Sequence, residues 1–210
     1  MNKTFSRAAR WDAWKFRRFG PENVQRLLLN AVRSGGVAGR SILDIGCGVG
    51  GLHLSLLKDG AAKATGVDVA DGMIEKAKTL AGERGLLDRT SYVVGDFTVV
   101  SASIGDADIT LLDKVVCCYE DLDKLIKEST SKTKSIYALS HPKENPIVKF
   151  AYSFQIARAK FTGGEFRTYW HDWGAMKENI RSLGFELTYS ASTFFWQVLV
   201  FKRTTDASTG

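Results

Sequence analysis

From residue 41 onward, short apolar runs alternate with longer runs in which apolar positions recur every three or four residues. The short runs, at 41–45, 64–68, 91–96, 108–116 and 135–140, read as buried strands, and those at 52–60, 71–85 and 120–132 as amphipathic helices. Strands interleaved with helices in this way predict a parallel sheet, doubly wound and covered on both faces. Ahead of it, Val24, Leu27, Leu28, Ala31 and Val32 form one stripe of a helix over 21–36, opened by Pro21 and closed by glycines. The segment before that, aromatic and rich in cations, also reads as helical, so residues 1–36 form an N-terminal helical cap.

After the fifth strand the rhythm changes. Residues 145–171 are an aromatic, basic insertion that reads as a helix followed by a Gly-Gly turn, and the next helix begins with Asp172 as its cap. The last two apolar runs leave no room for a crossover helix, so they predict a hairpin that adds an antiparallel strand. Residues 204–210 read as a disordered tail, and 1–210 as one domain.

Composition sets the class. With 44% apolar and 25% charged residues, the 210-residue chain suits a globular protein, and no run reaches the ~20 apolar residues of a membrane span. The N-terminus lacks the apolar core of a secretory signal, which makes a cytoplasmic location the expectation. Cys47, Cys117 and Cys118 fall in segments that read as strand ends, and neighbours on a strand point to opposite faces. The cysteine pattern therefore predicts neither a disulfide framework nor a metal site. Net charge is +6, concentrated at the front: residues 1–40 hold nine Lys or Arg against two acids. That excess fits a solvated helix face, an anionic small molecule, a membrane surface or RNA.

Candidate chemistry gathers at the carboxyl ends of the strands, where such sheets bind ligands. Asp44 precedes Gly46, Gly48, Gly50 and Gly51; Asp68 ends the second strand; "GDF" follows the third, and "LDKVV" ends the fourth. Glycines let a ligand approach the backbone and feed a helix N-terminus whose free N–H groups favour negative charge. Asp68 is spaced from the glycines to accept hydrogen bonds from a ribose diol, a feature that by itself would suit NAD equally well.

The ordered set "LDIGCGVGG", "GVDVADGM", "GDF" and "LLDKVV" resembles the motifs of class I S-adenosylmethionine-dependent methyltransferases over roughly residues 40–203. The resemblance implies a Rossmann-like α/β fold whose seven-stranded sheet has an antiparallel last strand, with S-adenosylmethionine as cofactor and S-adenosylhomocysteine as product. It implies that Asp44 and Gly46, Cys47, Gly48 and Gly50 hold the methionine end, and Asp68 the ribose. Val69 and Met73 would line the adenine, Asp96 and Phe97 would meet it, and Asp113, Lys114 and Val115 would sit near the sulfonium.

If the acceptor must lose a proton, the candidates are His141 at the end of the fifth strand, His171 in the insertion, and Tyr119. His53, on the helix after the glycine loop, reads as structural. Trp11, Trp14, Tyr152 and Trp170 lie in the two segments expected to cover an apolar or planar substrate, and Arg158 and Arg167 could pair with its carboxylate or phosphate. The function expected is methyl transfer to a small molecule. An RNA or protein methyltransferase, disfavoured by "LDKVV" and by the lack of an RNA-binding domain, is the alternative, followed by a non-catalytic cofactor-binding protein.

Overall fold

In the computed structural model, which describes residues 2–162 and 168–204, two helices precede the sheet: α1 (Asn2–Phe19) and α2 (Asn23–Ser34). The chain continues through β1 (Ser41–Ile45), α3 (Gly51–Lys58), β2 (Lys63–Asp68), α4 (Asp71–Glu83), β3 (Thr90–Val94), α5 (Phe97–Val100) and β4 (Ala107–Asp113). It then forms α6 (Leu122–Ser131), β5 (Thr133–Pro142), α7 (Pro146–Thr162), α8 (Trp173–Ser182), β6 (Phe185–Ser192) and β7 (Trp196–Arg203).

The seven strands lie in the order β3-β2-β1-β4-β5-β7-β6. β1 to β5 pair in parallel, while β7 runs antiparallel between β5 and β6. The expected hairpin is present, and its second strand sits inside the sheet. The winding direction reverses between β1 and β4, which opens a crevice at their carboxyl ends.

Period-two alternation sorts the strands' side chains into two cores. Ile42, Ile109, Leu111, Ala138 and Val200 face α2 and α3, against Leu28, Leu29 and Leu54. Leu43, Leu112, Tyr137, Leu139 and Phe201 face α6 and α8, against Leu125, Ile126 and Trp173. The buried stripe of α2 includes Leu29, while Leu27 is only half-buried. Pro21 stands outside that helix, which Glu22 and Gln25 close with reciprocal side-chain-to-backbone hydrogen bonds. Asp172 caps α8 as expected, accepting from the Ala175 N–H.

Several boundaries differ from the expected ones. β4 stops at Asp113, and residues 116–118 form a 3-10 turn because Lys114 adopts a left-handed φ of 60° that breaks the strand. β5 runs on through Pro142, paired with Trp196 of β7. Thr204, assigned above to the tail, is held by hydrogen bonds to Gly184, while 205–210 and the Gly-Gly turn lie outside the described residues.

Candidate active site

The turn after β1 is built around glycines because side chains would collide there. Gly46 has a φ of 64°, and a Cβ on it would collide with Val115 Cγ2 in the loop after β4. Gly50, at φ 85°, would carry a Cβ 2.9 Å from the His53 ring. The bare turn brings the β4 loop and the buried His53 against the main chain.

Beneath the turn, His53 joins two strands. Its Nδ1 donates to Asp44 Oδ2 at 2.7 Å, and its other ring nitrogen lies 3.1 Å from the Tyr92 hydroxyl. Asp68, at the end of β2, accepts from the Gly48 N–H with one carboxylate oxygen and from the Ala70 N–H with the other, each at 2.9 Å. The carboxylate's roughly four acceptor sites exceed its backbone donors, so it can take a further one. Burial raises the Asp68 pKa above the ordinary value, against the lowering effect of those backbone donors.

At the end of β4, Asp113 accepts from Ser140 at 2.6 Å and from Gln25 of α2 at 3.1 Å. Withdrawal from water raises its pKa as well. Lys114 reaches back to Glu22 at 2.6 Å, and Lys15 meets the same carboxylate at 3.0 Å. The N-terminal cap is thereby fastened over the strand ends.

These groups enclose a cavity of about 790 Å³. Asp44, Gly46, Cys47, Gly48, Asp68, Val69, Met73, Phe97, Asp113, Lys114, Val115 and Tyr119 all line it. Its ionisable wall carries five acids, Asp12, Glu22, Asp44, Asp68 and Asp113, against three cations, Lys15, Arg26 and Lys114. Gly50 and Asp96 are not among the lining residues. Asp96 instead caps α5, accepting from both the Thr98 N–H and its hydroxyl at 2.9 Å. The Tyr119 hydroxyl accepts from the Phe97 N–H at 3.3 Å, and burial beside Asp96 pushes its pKa up.

Neither histidine proposed as a base reaches the cavity. Because β5 is longer than expected, His141 lies within the sheet rather than past its end, stacked on Trp173 at 4.8 Å and donating from Nδ1 to the Pro142 carbonyl at 2.8 Å. Burial lowers its pKa to about 4. His171 bonds the Tyr119 carbonyl through Nε2 at 2.8 Å and so positions the chain that carries Tyr119.

The substrate candidates also divide. Trp11 and Trp14 stack on each other at 4.8 Å on the outside of α1, 60% and 46% exposed. The face of α1 turned to the cavity is Asp12, Lys15, Phe16 and Phe19, a helical i, i+3, i+4, i+7 set that leaves the two tryptophans on another face. Tyr152 and Trp170 pack edge to face at 5.8 Å, away from the cavity. The Arg158 side chain and all of Arg167 lie outside the described residues. Cys117 and Cys118 do not diverge as strand neighbours would: both thiols point to the Lys114 carbonyl, at 3.6 and 3.5 Å. Among the described residues no group of three potential metal ligands gathers, and no helix is long and apolar enough to cross a membrane.

Residues 42–135 match the family model described as "Methyltransferase domain". Two curated relatives are the ribosomal protein arginine N-methyltransferase rmt3 of Schizosaccharomyces pombe, 32% identical over 48% of this chain, and ajmaline N-methyltransferase of Rauvolfia serpentina, 30% identical over 49%. The matched stretches span only 20% and 36% of those proteins' own lengths. Among solved structures, magnesium protoporphyrin IX methyltransferase of Synechocystis with bound SAH superposes with a TM-score of 0.72, covering 97% of this chain and 98% of that one at 20% identity. Residues 42–135 are thus similar to a methyltransferase domain, and the chain as a whole shares the fold of the Synechocystis structure.

Proposed function

We propose that the cavity binds S-adenosylmethionine and that the protein transfers its methyl group to a small, apolar or planar acceptor. The observation that carries this reading is Asp68, held by backbone N–H groups beside the bare Gly46–Gly48 turn, with acceptor capacity beyond those donors. The residues fit the ligand. An acid-rich wall suits the ammonium and sulfonium charges, Asp68 suits a ribose diol, and Val69, Met73 and Phe97 offer an apolar slot for a base. NAD would need its pyrophosphate placed against that same acidic wall.

Bound there, S-adenosylmethionine supplies an electrophilic methyl carbon, so the protein's task is alignment and exclusion of water. Asp44, with one oxygen committed to His53, and Gly46 would hold the methionine end. Phe16 and Phe19 of α1 present apolar surface to the acceptor side, and the Glu22–Lys114 pair holds that cap closed. A hydroxyl or amine acceptor would surrender its proton to Asp113, the acid at the end of β4 whose raised pKa makes it the better base. Tyr119, its phenol pushed up, serves as a neutral hydrogen-bond partner.

The basic N-terminal segment supports an RNA or protein acceptor less well than its sequence suggested. Lys15, Arg17 and Arg33 are already paired with Glu22, Glu83 and Asp59. Incubation with methyl-labelled S-adenosylmethionine and a fractionated cell extract tests the reading. Label is expected in the small-molecule fraction, and label confined to RNA or protein would overturn it.

A further inference from the structure

Away from the cavity, α7 leaves an apolar face uncovered. Val148 and Tyr152, four apart, turn inward, while Ile147, Phe150 and Phe154 are 63%, 76% and 66% exposed. The outward three are spaced by three and four residues and so share one face. Beside the start of this helix, the β6–β7 turn adds Phe194 and Phe195, 59% and 51% exposed, held there by the Lys143 N–H donating to the Phe195 carbonyl at 2.8 Å. Scattered exposed apolar residues need no explanation, but five large ones on adjoining segments do.

The surrounding charge says what covers them. By sequence the helix Pro146–Thr162 carries Lys149, Arg158 and Lys160, and the one acid beside its start is Glu144. Two copies brought face to face would oppose like charges, whereas an anionic bilayer offers hydrocarbon to the aromatics and headgroups to the cations.

We propose that the α7 face, with Phe194 and Phe195, docks the protein onto anionic lipid surfaces. The inner side of α7 reaches the active site: the Tyr152 hydroxyl donates to Cys117 Sγ at 3.8 Å, and the following Cys118 and Tyr119 line the cavity. Docking would set the bilayer about one helix diameter, ~10 Å, from the cavity wall. The inference does not depend on which cofactor the cavity holds.

Co-sedimentation with phosphatidylcholine vesicles, with and without phosphatidylglycerol, tests it. Binding is expected only with phosphatidylglycerol. The double variant Phe150→Ser/Phe154→Ser should weaken it by about tenfold or more, and Lys149→Glu by roughly fivefold. These side chains are exposed, so circular dichroism and S-adenosylhomocysteine binding should match the parent protein. Failure to bind vesicles would overturn the proposal, as would binding unaffected by the double variant. Self-association or RNA binding abolished by the same variant, without lipid binding, would overturn it too.

Discussion

The two halves of the sheet are made alike and used differently. β2, β1 and β4 end in acids that line the cavity, each tied down by a partner: Asp68 by two backbone N–H groups, Asp44 by His53, Asp113 by Ser140 and Gln25. β5, β7 and β6 contribute none of the lining; His141 at the same edge is covered by Trp173, and the apolar surface beyond it faces outward. Polar groups fixed in place beforehand serve recognition of a ligand, because they need no reordering when it arrives. A bare apolar face stabilises nothing until something covers it.

Substitutions that separate the halves should differ most in cofactor affinity. Asp68→Ala removes a buried charged acceptor and should weaken S-adenosylhomocysteine binding by about 100-fold, measured by calorimetry. The wild-type affinity should also fall on acidification at a pH above the ordinary aspartate range, since Asp68 must be ionised to accept and burial has raised its pKa. Gly46→Ala drives a Cβ into Val115 at a positive φ and should cost about 2 kcal/mol in thermal unfolding, as well as narrowing the cavity.

In the other half, His141→Leu should leave cofactor affinity and turnover within about twofold. Its effect belongs in the acid limb of stability. A histidine whose pKa falls from 6.5 unfolded to about 4 folded takes up its proton more readily when unfolded. Stability is therefore lost as pH falls from 6.5 toward about 4, and the substitution should flatten that decline in pH-dependent melts. Smallest of all, Trp11→Ala with Trp14→Ala should leave cofactor affinity unchanged, since the stacked pair stands outside the cavity.

Much of this was legible along the chain because periodicity and glycine clustering are local signals. The alternating runs placed β1 to β5, and most of the acids and glycines at their ends do meet in one cavity. What escaped depended on small shifts or distant partners. Two extra residues of β5 took His141 out of the crevice edge, and a step along α1 exchanged Trp11 and Trp14 for Asp12, Lys15, Phe16 and Phe19. Gln25 could not be read as a partner of Asp113, because the two are 88 residues apart and nothing local links them. The Cys117 and Cys118 geometry turned on the left-handed Lys114, a conformation no neighbouring glycine announces.

The central claim is that the cavity over Gly46–Gly48 and Asp68 is a methyl-donor site, and calorimetric competition tests it most directly. Titrated in parallel, S-adenosylhomocysteine should bind the wild-type protein and NAD should neither bind comparably nor displace it. Tighter uptake of NAD, or no uptake of S-adenosylhomocysteine by folded protein, would contradict the account.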